Sequence, residues 1–257
     1  MSTLGQIGQM ARRSILQTLR QPAMVIPPVV FPLLLVAINA AGLDAATKIP
    51  GFPADSYWDF AIAVPFIQGS LFAAINAGTA MARDVETGFI KRLAMTPMQR
   101  MALLIGQLIG VMTVAFFSAI VYLVAGFAAG MDFKSGALGV PAIILLGVLV
   151  ALGFAAIGAY IGLRSGSGEA VQGIFPLLFV FLFLSSVNLP RNLIEQDWFR
   201  TIATYNPVSY LVEGVRSLII TGWDWEALAL GFGLATAIAA IAFGLAAGAL
   251  RTRLIRT

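Results

Sequence analysis

The chain contains no cysteine and no histidine, and each absence removes a class of chemistry. Without cysteine it has neither a disulfide framework nor a thiolate nucleophile. Without histidine it lacks Ser-His and Cys-His pairs, histidine metal ligands and the commonest general base. We therefore predict no catalytic residue and no metal site.

Charged residues are also scarce. They make up 11% of the 257 residues, whereas hydrophobic residues make up 59%. A soluble domain would carry roughly 25% charged residues, so the deficit is typical of a protein whose solvent is mostly lipid. The net charge is +4, and the basic residues do not gather in one broad soluble patch. Nucleic acid is therefore not an expected partner.

Six apolar runs reach the roughly 20 residues that a bilayer requires, and none has an Asp, Glu, Lys or Arg in its interior. They cover approximately residues 22–43, 60–82, 102–130, 137–163, 170–187 and 227–250. Because hydrocarbon cannot satisfy an open backbone, these runs should be helices. We predict a single-domain, all-α integral membrane protein with six transmembrane helices.

The distribution of Lys and Arg between alternate loops predicts the orientation. One set of segments, namely residues 1–21, 83–101, 164–169 and 251–257, carries eleven basic residues, and the other loops carry five. The first set should be cytoplasmic, with both termini inside. Within residues 1–21, apolar side chains recur at helical spacing beside Arg12, Arg13 and Arg20. This pattern predicts an amphipathic helix on the inner membrane surface, and a frayed tail is the alternative.

One of the inner loops is unusual. The stretch "ARDVETGFIKRLAMTPMQRMALLIGQ", residues 82–107, predicts a short helix over Asp84–Met95. Val85, Phe89, Ile90 and Leu93 recur at intervals of three and four and share one face. Pro97 should end the helix at Thr96. Periodicity alone leaves two interpretations open, a docking element for a partner or a plain interfacial loop.

A second unusual stretch, residues 203–228, lies before the last span on the external side. Asn206-Pro207 is a helix-start signal, and Gly222 is a plausible stop. Between them an apolar stripe predicts an external amphipathic helix. Glu213 and Arg216 lie three residues apart on its polar side and could pair.

Both stretches resemble the permeases of ABC type-2 exporters, especially those of the daunorubicin-resistance type. The first match consists of Asp84 or Glu86, Gly88, Arg92, Leu93, Thr96, Pro97 and Arg100. The second match consists of Asn206, Pro207, Glu213 and Arg216. Lys91 departs from the pattern, because many relatives have a second acid there.

The resemblance implies a coupling helix that docks in a cleft of a separate ATPase subunit. Phe89, Ile90 and Leu93 would be its apolar anchors, with Glu86, Lys91, Arg92 and Arg100 setting charge complementarity. It also implies two ATPase copies that carry ATP and Mg²⁺, a second copy of the permease, re-entrant helices near the exit, and the plasma membrane of a prokaryote.

Nothing in the sequence suggests that the chain supplies its own energy. The glycine-rich stretch "RSGSGEAVQG", residues 164–173, lacks the Lys of a phosphate-binding loop. The predicted spans lack carboxylates for an ion relay. We therefore expect a transport subunit that is not itself an enzyme and has no cofactor of its own.

The translocation path is the least defined feature. On the family's pattern, its candidate lining residues are Gln68, Phe72, Asn76, Phe175 and Phe179. For the polar members, the alternative is a hydrogen bond between helices. Such a lining would suit a hydrophobic or amphipathic cargo, such as a drug or a lipid. Two other functions are considered. One is a scaffold that recruits a partner without transport, and the other is an intramembrane enzyme.

Overall fold

The computed structural model describes residues 2–95 and 99–255, and every regular element within them is helical. The predicted all-α class is therefore confirmed. The helices are α1 Thr3–Leu19, α2 Pro22–Leu43, α3 Tyr57–Ala61, α4 Val64–Glu86, α5 Phe89–Ala94, α6 Arg100–Ala128, α7 Gly139–Ser165, α8 Gly168–Gly173, α9 Phe175–Phe183, α10 Asp197–Tyr205, α11 Pro207–Ile220 and α12 Trp225–Ile255. Short 3₁₀ turns follow α2 and precede α10.

Five helical segments of the described chain are long and apolar enough to cross a membrane. They are α2, α3 with α4, α6, α7 and α12, and they correspond to five of the six predicted spans. The helix α4 lies at the centre of the bundle, while α2 and α12 lie mostly at its periphery. This arrangement leaves the apolar surfaces of α2 and α12 available to lipid.

The fifth predicted span, residues 170–187, differs from the expectation. It is divided into α8 and α9, which together cover only Gly168–Phe183. Even a continuous helix over these sixteen residues would reach only about 24 Å, which is less than the hydrocarbon thickness of a bilayer. Pro176 causes the division, because it cannot donate the backbone hydrogen bond that would continue the helix. The chain after Phe183 is non-helical until the 3₁₀ turn at Arg191–Leu193.

The closest helix crossing joins α4 to α7 and depends on glycine. A Cβ atom on Gly158 would lie 1.8 Å from the carbonyl oxygen of Ala74. A Cβ atom on Gly162 would lie 2.1 Å from the carbonyl oxygen of Gly78. Small residues on both helices therefore allow backbone-to-backbone contact, as is common between membrane helices.

The N-terminal helix α1 forms as predicted, but it also packs against α6. Its side chains Met10 and Ser14 lie against Gly106 and Gly110, where a Cβ atom would clash. The Ser14 hydroxyl donates a hydrogen bond to the carbonyl oxygen of Gln107 at 3.2 Å. The helix is thus attached to the bundle by one face, and Leu4, Leu16 and Leu19 stay exposed on others.

The bundle has two chemically different ends. We call one the basic end; it contains α5, the turn between α7 and α8, and the last turn of α12. Arg253 joins two of these parts, because its Nε donates to the carbonyl oxygen of Leu163 at 2.8 Å. The opposite end contains α3, α10 and α11. These ends correspond to the predicted cytoplasmic and external sides respectively.

Candidate functional site

The predicted helix over Asp84–Met95 is an elbow of two helices. The end of α4 and the start of α5 meet at Gly88, whose φ of +67° lies in the left-handed region that glycine adopts without strain. Arg92 braces the elbow, because its Nη1 donates to the carbonyl oxygen of Thr87 at 3.0 Å. The predicted boundary at Asp84 is therefore wrong: Asp84 belongs to the last turn of α4.

The apolar face of α5 packs against the permease bundle itself. Ile90 is only 3% exposed and belongs to a buried cluster with residues of α4, α6, α7 and α12. Phe89 and Leu93 are partly buried against the same cluster. This burial corrects the interpretation of Ile90 as an anchor for another protein, because its surface is already covered. It also means that α5 is held rigidly by its apolar side.

Arg13 of α1 fastens this elbow from the side. Its guanidinium donates to both carboxylate oxygens of Asp84, at 2.7 and 3.2 Å, and lies 4.1 Å from the ring centroid of Phe89. The Asp84 side chain is 7% exposed. Asp84 is therefore occupied inside the permease, which does not fit a contact with a partner. No local pattern in the sequence indicates that Arg13 joins α1, α4 and α5.

The accessible side of the elbow is mostly polar and carries a net positive charge. The described residues that it exposes are Glu86, Thr87, Lys91, Arg92 and Met95. Met95 is 88% exposed, more than any other large apolar side chain of the described residues. Glu86 also accepts a hydrogen bond from the backbone N–H of Gly168 at 3.3 Å. Thr96 and Pro97 lie outside the described residues, and Arg100 begins α6.

At the opposite end, α11 forms as predicted. The Asn206 side-chain oxygen accepts from the N–H of Val208 at 2.9 Å, and Pro207 occupies the first helical position. The Asn206 amide also donates to the carbonyl oxygen of Phe181 at 2.8 Å, which ties α11 to α9. The helix ends before Gly222, as predicted, with φ of +95° there.

Arg216 is buried and holds the non-helical segment between α9 and α10. Its three donating nitrogens contact the carbonyl oxygens of Phe60, Ser186 and Val187 at 3.0, 3.1 and 3.1 Å. Burial lowers the pKa of Arg216 to about 9, while the charge of Glu213 acts in the opposite direction. The guanidinium therefore remains charged at neutral pH and binds the loop by charge-assisted hydrogen bonds.

Glu213 does not form the predicted pair with Arg216. Its carboxylate instead pairs with Arg191, and its other oxygen accepts from the Ser186 hydroxyl at 2.8 Å. The two residues of the motif thus hold the same loop from two sides. Arg191 lies in the 3₁₀ turn after that loop, and sequence spacing offered no sign of its role.

Three of the five candidate path residues lie together. Phe72 of α4 is 5.6 Å from Phe175, and Phe175 is 5.2 Å from Phe179, between ring centroids. Phe31 of α2 completes the cluster, at 6.0 Å from Phe72 and 6.1 Å from Phe179. The cluster lies where α2, α4 and α9 meet; Phe72, Phe175 and Phe179 are partly buried and Phe31 is exposed. Phe183 continues it, at 5.3 Å from Phe179.

The other two candidates, Asn76 and Gln68, are polar and do not belong to this aromatic cluster. Asn76 donates to the carbonyl oxygen of Met24 at 2.9 Å. That carbonyl lies four residues before Pro28, which has no N–H to give it. Tyr122 likewise donates to the carbonyl oxygen of Pro28, four residues before Pro32. Asn76 therefore acts as an interhelical hydrogen-bond partner, the alternative considered above, and the spacing of the prolines was the signal for it.

Gln68 is 3% exposed, and its side-chain oxygen finds no hydrogen-bond partner among the described residues. It lies on α4, one turn from Phe72. An unpaired buried carbonyl is costly in most proteins and calls for a role. The assignment of Gln68 to a path stays a prediction.

Comparison with known proteins decides the family. Residues 5–220 match the family model described as ABC-2 type transporter. The chain belongs to the ABC-2 type transporter family. It is similar to the putative transport permease ycf38 of Porphyra purpurea, with 27% identity over 224 residues, which are 86% of this chain and 76% of that one. The same permease of Pyropia yezoensis is 28% identical over 220 residues, 84% and 75% of the two chains.

A bacterial relative carries a more specific name. The probable doxorubicin resistance ABC transporter permease protein DrrC of Mycobacterium tuberculosis is 26% identical over 158 residues, which are 61% of this chain and 55% of that one. Family membership and the transmembrane fold together establish the chain as a multi-pass permease subunit of an ABC transporter. Membership also implies a partner subunit that hydrolyses ATP.

Proposed function

We propose that this permease exports a hydrophobic or amphipathic cargo, and that a separate ATPase drives it through the elbow at the basic end. The observation that carries this proposal is the arrangement of α5. Its apolar side is packed on the bundle, with Ile90 buried, whereas Glu86, Lys91, Arg92 and Met95 face outward. A short helix that is fixed on one side and accessible on the other can transmit a displacement.

The contacts around the elbow support a route for that displacement. A push on α5 would reach α4 through Gly88 and α1 through Arg13. The helix α4 is the central span and packs on α7 by backbone contact. Movement of α4 would then shift Phe72 relative to α9, where the aromatic cluster lies. Packed helices transmit such shifts because their contacts are nearly incompressible.

The working complex would contain two permease copies and two ATPase copies, with ATP and Mg²⁺ on the ATPase and both permease termini in the cytoplasm. ATP binding would close the ATPase pair and rock the two permeases, opening a path between them to the outside. The permease itself would not hydrolyse ATP. The aromatic cluster of Phe31, Phe72, Phe175 and Phe179 would contact the cargo.

Doxorubicin is a suitable first probe, because the mycobacterial relative is named for resistance to it. The test uses inside-out vesicles that contain the permease together with its co-expressed ABC ATPase subunit. We expect ATP-dependent drug uptake, and no uptake when the ATPase carries a substitution in its phosphate-binding Lys. Uptake by vesicles that contain the permease alone would reject the proposal. Stable complex formation without any ATP-dependent movement of drugs or lipids would favour the scaffold instead.

A further inference from the structure

The basic end contains a cavity that neither the elbow nor the family assignment explains. It has a volume of about 370 Å³ and lies among the ends of α4, α5, α7 and α12. Apolar side chains, including Val85, Ile90 and Leu163, form part of its lining. Three cationic side chains, Lys91, Arg164 and Arg253, line it as well. A cavity with both kinds of lining can accept a ligand that has a negative head and an apolar body.

One of the three cations is already fixed. Arg253 donates from Nε to the carbonyl oxygen of Leu163 at 2.8 Å and from Nη2 to that of Arg164 at 3.0 Å. These carbonyls belong to the last turns of α7, so the arginine also satisfies free acceptors at a helix C-terminus. The two bonds use only part of the five-donor guanidinium. Its position is set before any ligand arrives.

The positive charge of the cavity is not neutralised within the described chain. Among the described residues, no Asp or Glu lines the cavity, and Lys91, Arg164 and Arg253 form no ion pair. Lys91 and Arg164 are exposed, so their charged groups can approach a ligand from the aqueous side. Three cations close together without an acid favour a bound anion.

We propose that this cavity binds the phosphate group of an anionic phospholipid. The cavity lies at the ends of the long helices α7 and α12 on the predicted cytoplasmic side, where a membrane-spanning helix would reach the lipid headgroups, and part of its lining is apolar. Basic pockets between membrane helices on the cytoplasmic side suit anionic headgroups. Arginine suits phosphate because it can donate two parallel hydrogen bonds. The bound lipid would link α5 to α7 and α12 at the point where the ATPase is expected to act.

The test uses the purified permease alone, so its outcome is separate from the question of ATPase coupling. The permease is placed in nanodiscs of phosphatidylcholine with increasing phosphatidylglycerol, and bound phosphatidylglycerol is measured by native mass spectrometry. Arg164→Gln should weaken phosphatidylglycerol binding about tenfold, because a charge-assisted hydrogen bond is lost. Arg164→Lys should weaken it less. Arg12→Gln is the matched control, since Arg12 is exposed on α1 away from the cavity.

The shift in melting temperature caused by phosphatidylglycerol gives a second readout that is independent of a general loss of stability. It should shrink in Arg164→Gln and stay as large in Arg12→Gln as in the unaltered chain. Equal phosphatidylglycerol binding by Arg164→Gln and the unaltered chain would overturn the proposal. Competition by inorganic phosphate at concentrations equal to those of the lipid would overturn the lipid assignment in favour of a soluble anion.

Discussion

Arg13 and Asp84 form a bidentate ion pair, with nitrogen–oxygen distances of 2.7 and 3.2 Å, although 71 residues separate them. Arg13 comes from the N-terminal helix, and Asp84 ends the central span one turn before the elbow. The same guanidinium lies over Phe89. This pair therefore makes α1 part of the structure that positions α5, although the sequence alone describes α1 as a surface helix.

Removing one member of this pair should destabilise the permease. Arg13→Gln leaves the buried carboxylate of Asp84 without its cation, and we expect a loss of about 2 kcal/mol in the free energy of unfolding, since one partner is partly exposed. Asp84→Asn in the same chain should recover much of that loss. The free energy of unfolding of all three variants is measured in mixed micelles, with Arg12→Gln as the control. Additive losses in the double variant would contradict the pairing.

The prolines of α2 provide a sharper test of individual hydrogen bonds. Asn76→Leu removes the donor to the carbonyl oxygen of Met24, which Pro28 leaves without a backbone partner. We expect this substitution to lower the free energy of unfolding by about 1–2 kcal/mol. In a Pro28→Ala chain the restored N–H can reach that carbonyl, so the same substitution should cost almost nothing.

Pro27→Ala is the matched control for this cycle. It restores an N–H one residue earlier, which reaches the carbonyl oxygen of Ala23 and not that of Met24. The cost of Asn76→Leu should therefore be the same in Pro27→Ala as in the unaltered chain, measured by unfolding in micelles. If Pro28→Ala and Pro27→Ala change the cost equally, the interpretation of Asn76 as a donor to a proline-freed carbonyl is wrong.

Lysine should not be able to replace Arg216 in holding the loop between α9 and α10. A single ammonium cannot hold the carbonyl oxygens of Phe60, Ser186 and Val187 with the fork geometry of a guanidinium. Because the chain has no cysteine, Val187→Cys introduces a single thiol at a buried loop position. We expect maleimide to label this thiol faster when Arg216→Lys is added, since the loop opens more often. Arg200→Lys, at an exposed position on α10, should leave the labelling rate unchanged, and equal rates in both variants would count against the loop-holding role.

The aromatic cluster gives a prediction about cargo. Phe179→Ala should change drug export while complex formation with the ATPase persists, because Phe179 contacts both α2 and α9 neighbours in the proposed path. Phe116→Ala removes a similarly large ring from an exposed position on α6 and serves as the control. Export is measured in cells as drug efflux. Unchanged efflux in Phe179→Ala would remove the cluster from the path.

The spans, the α class and α11 were predictable because their signals are local. Uninterrupted apolar runs, the Asn206-Pro207 start and the Gly222 stop each act within a few residues. The short fifth segment was harder, since its length suggested a span while Pro176 divides it. The sequence contains the signal for this division, because a proline cannot donate the backbone hydrogen bond that continues a helix.

The elbow shows which structural information a single sequence does not contain. An amphipathic pattern indicates that one face of a helix is buried, but it does not say against what. The face with Ile90 meets the permease bundle, so the side left for a partner is the basic one. Arg13, Arg191 and Tyr122 were likewise missed, because their partners are distant along the chain.

The central claim is that the ATPase binds the exposed side of the elbow. It can be tested by crosslinking from a single introduced thiol. Met95→Cys places the only thiol of the chain on the accessible end of α5. With a heterobifunctional photocrosslinker attached there, we predict a permease–ATPase adduct whose yield changes when ATP is added. Thr204→Cys, partly exposed at the opposite end on α10, should give none. An adduct from position 204 equal to that from position 95, or none from position 95 in a complex that transports drug, would contradict the account.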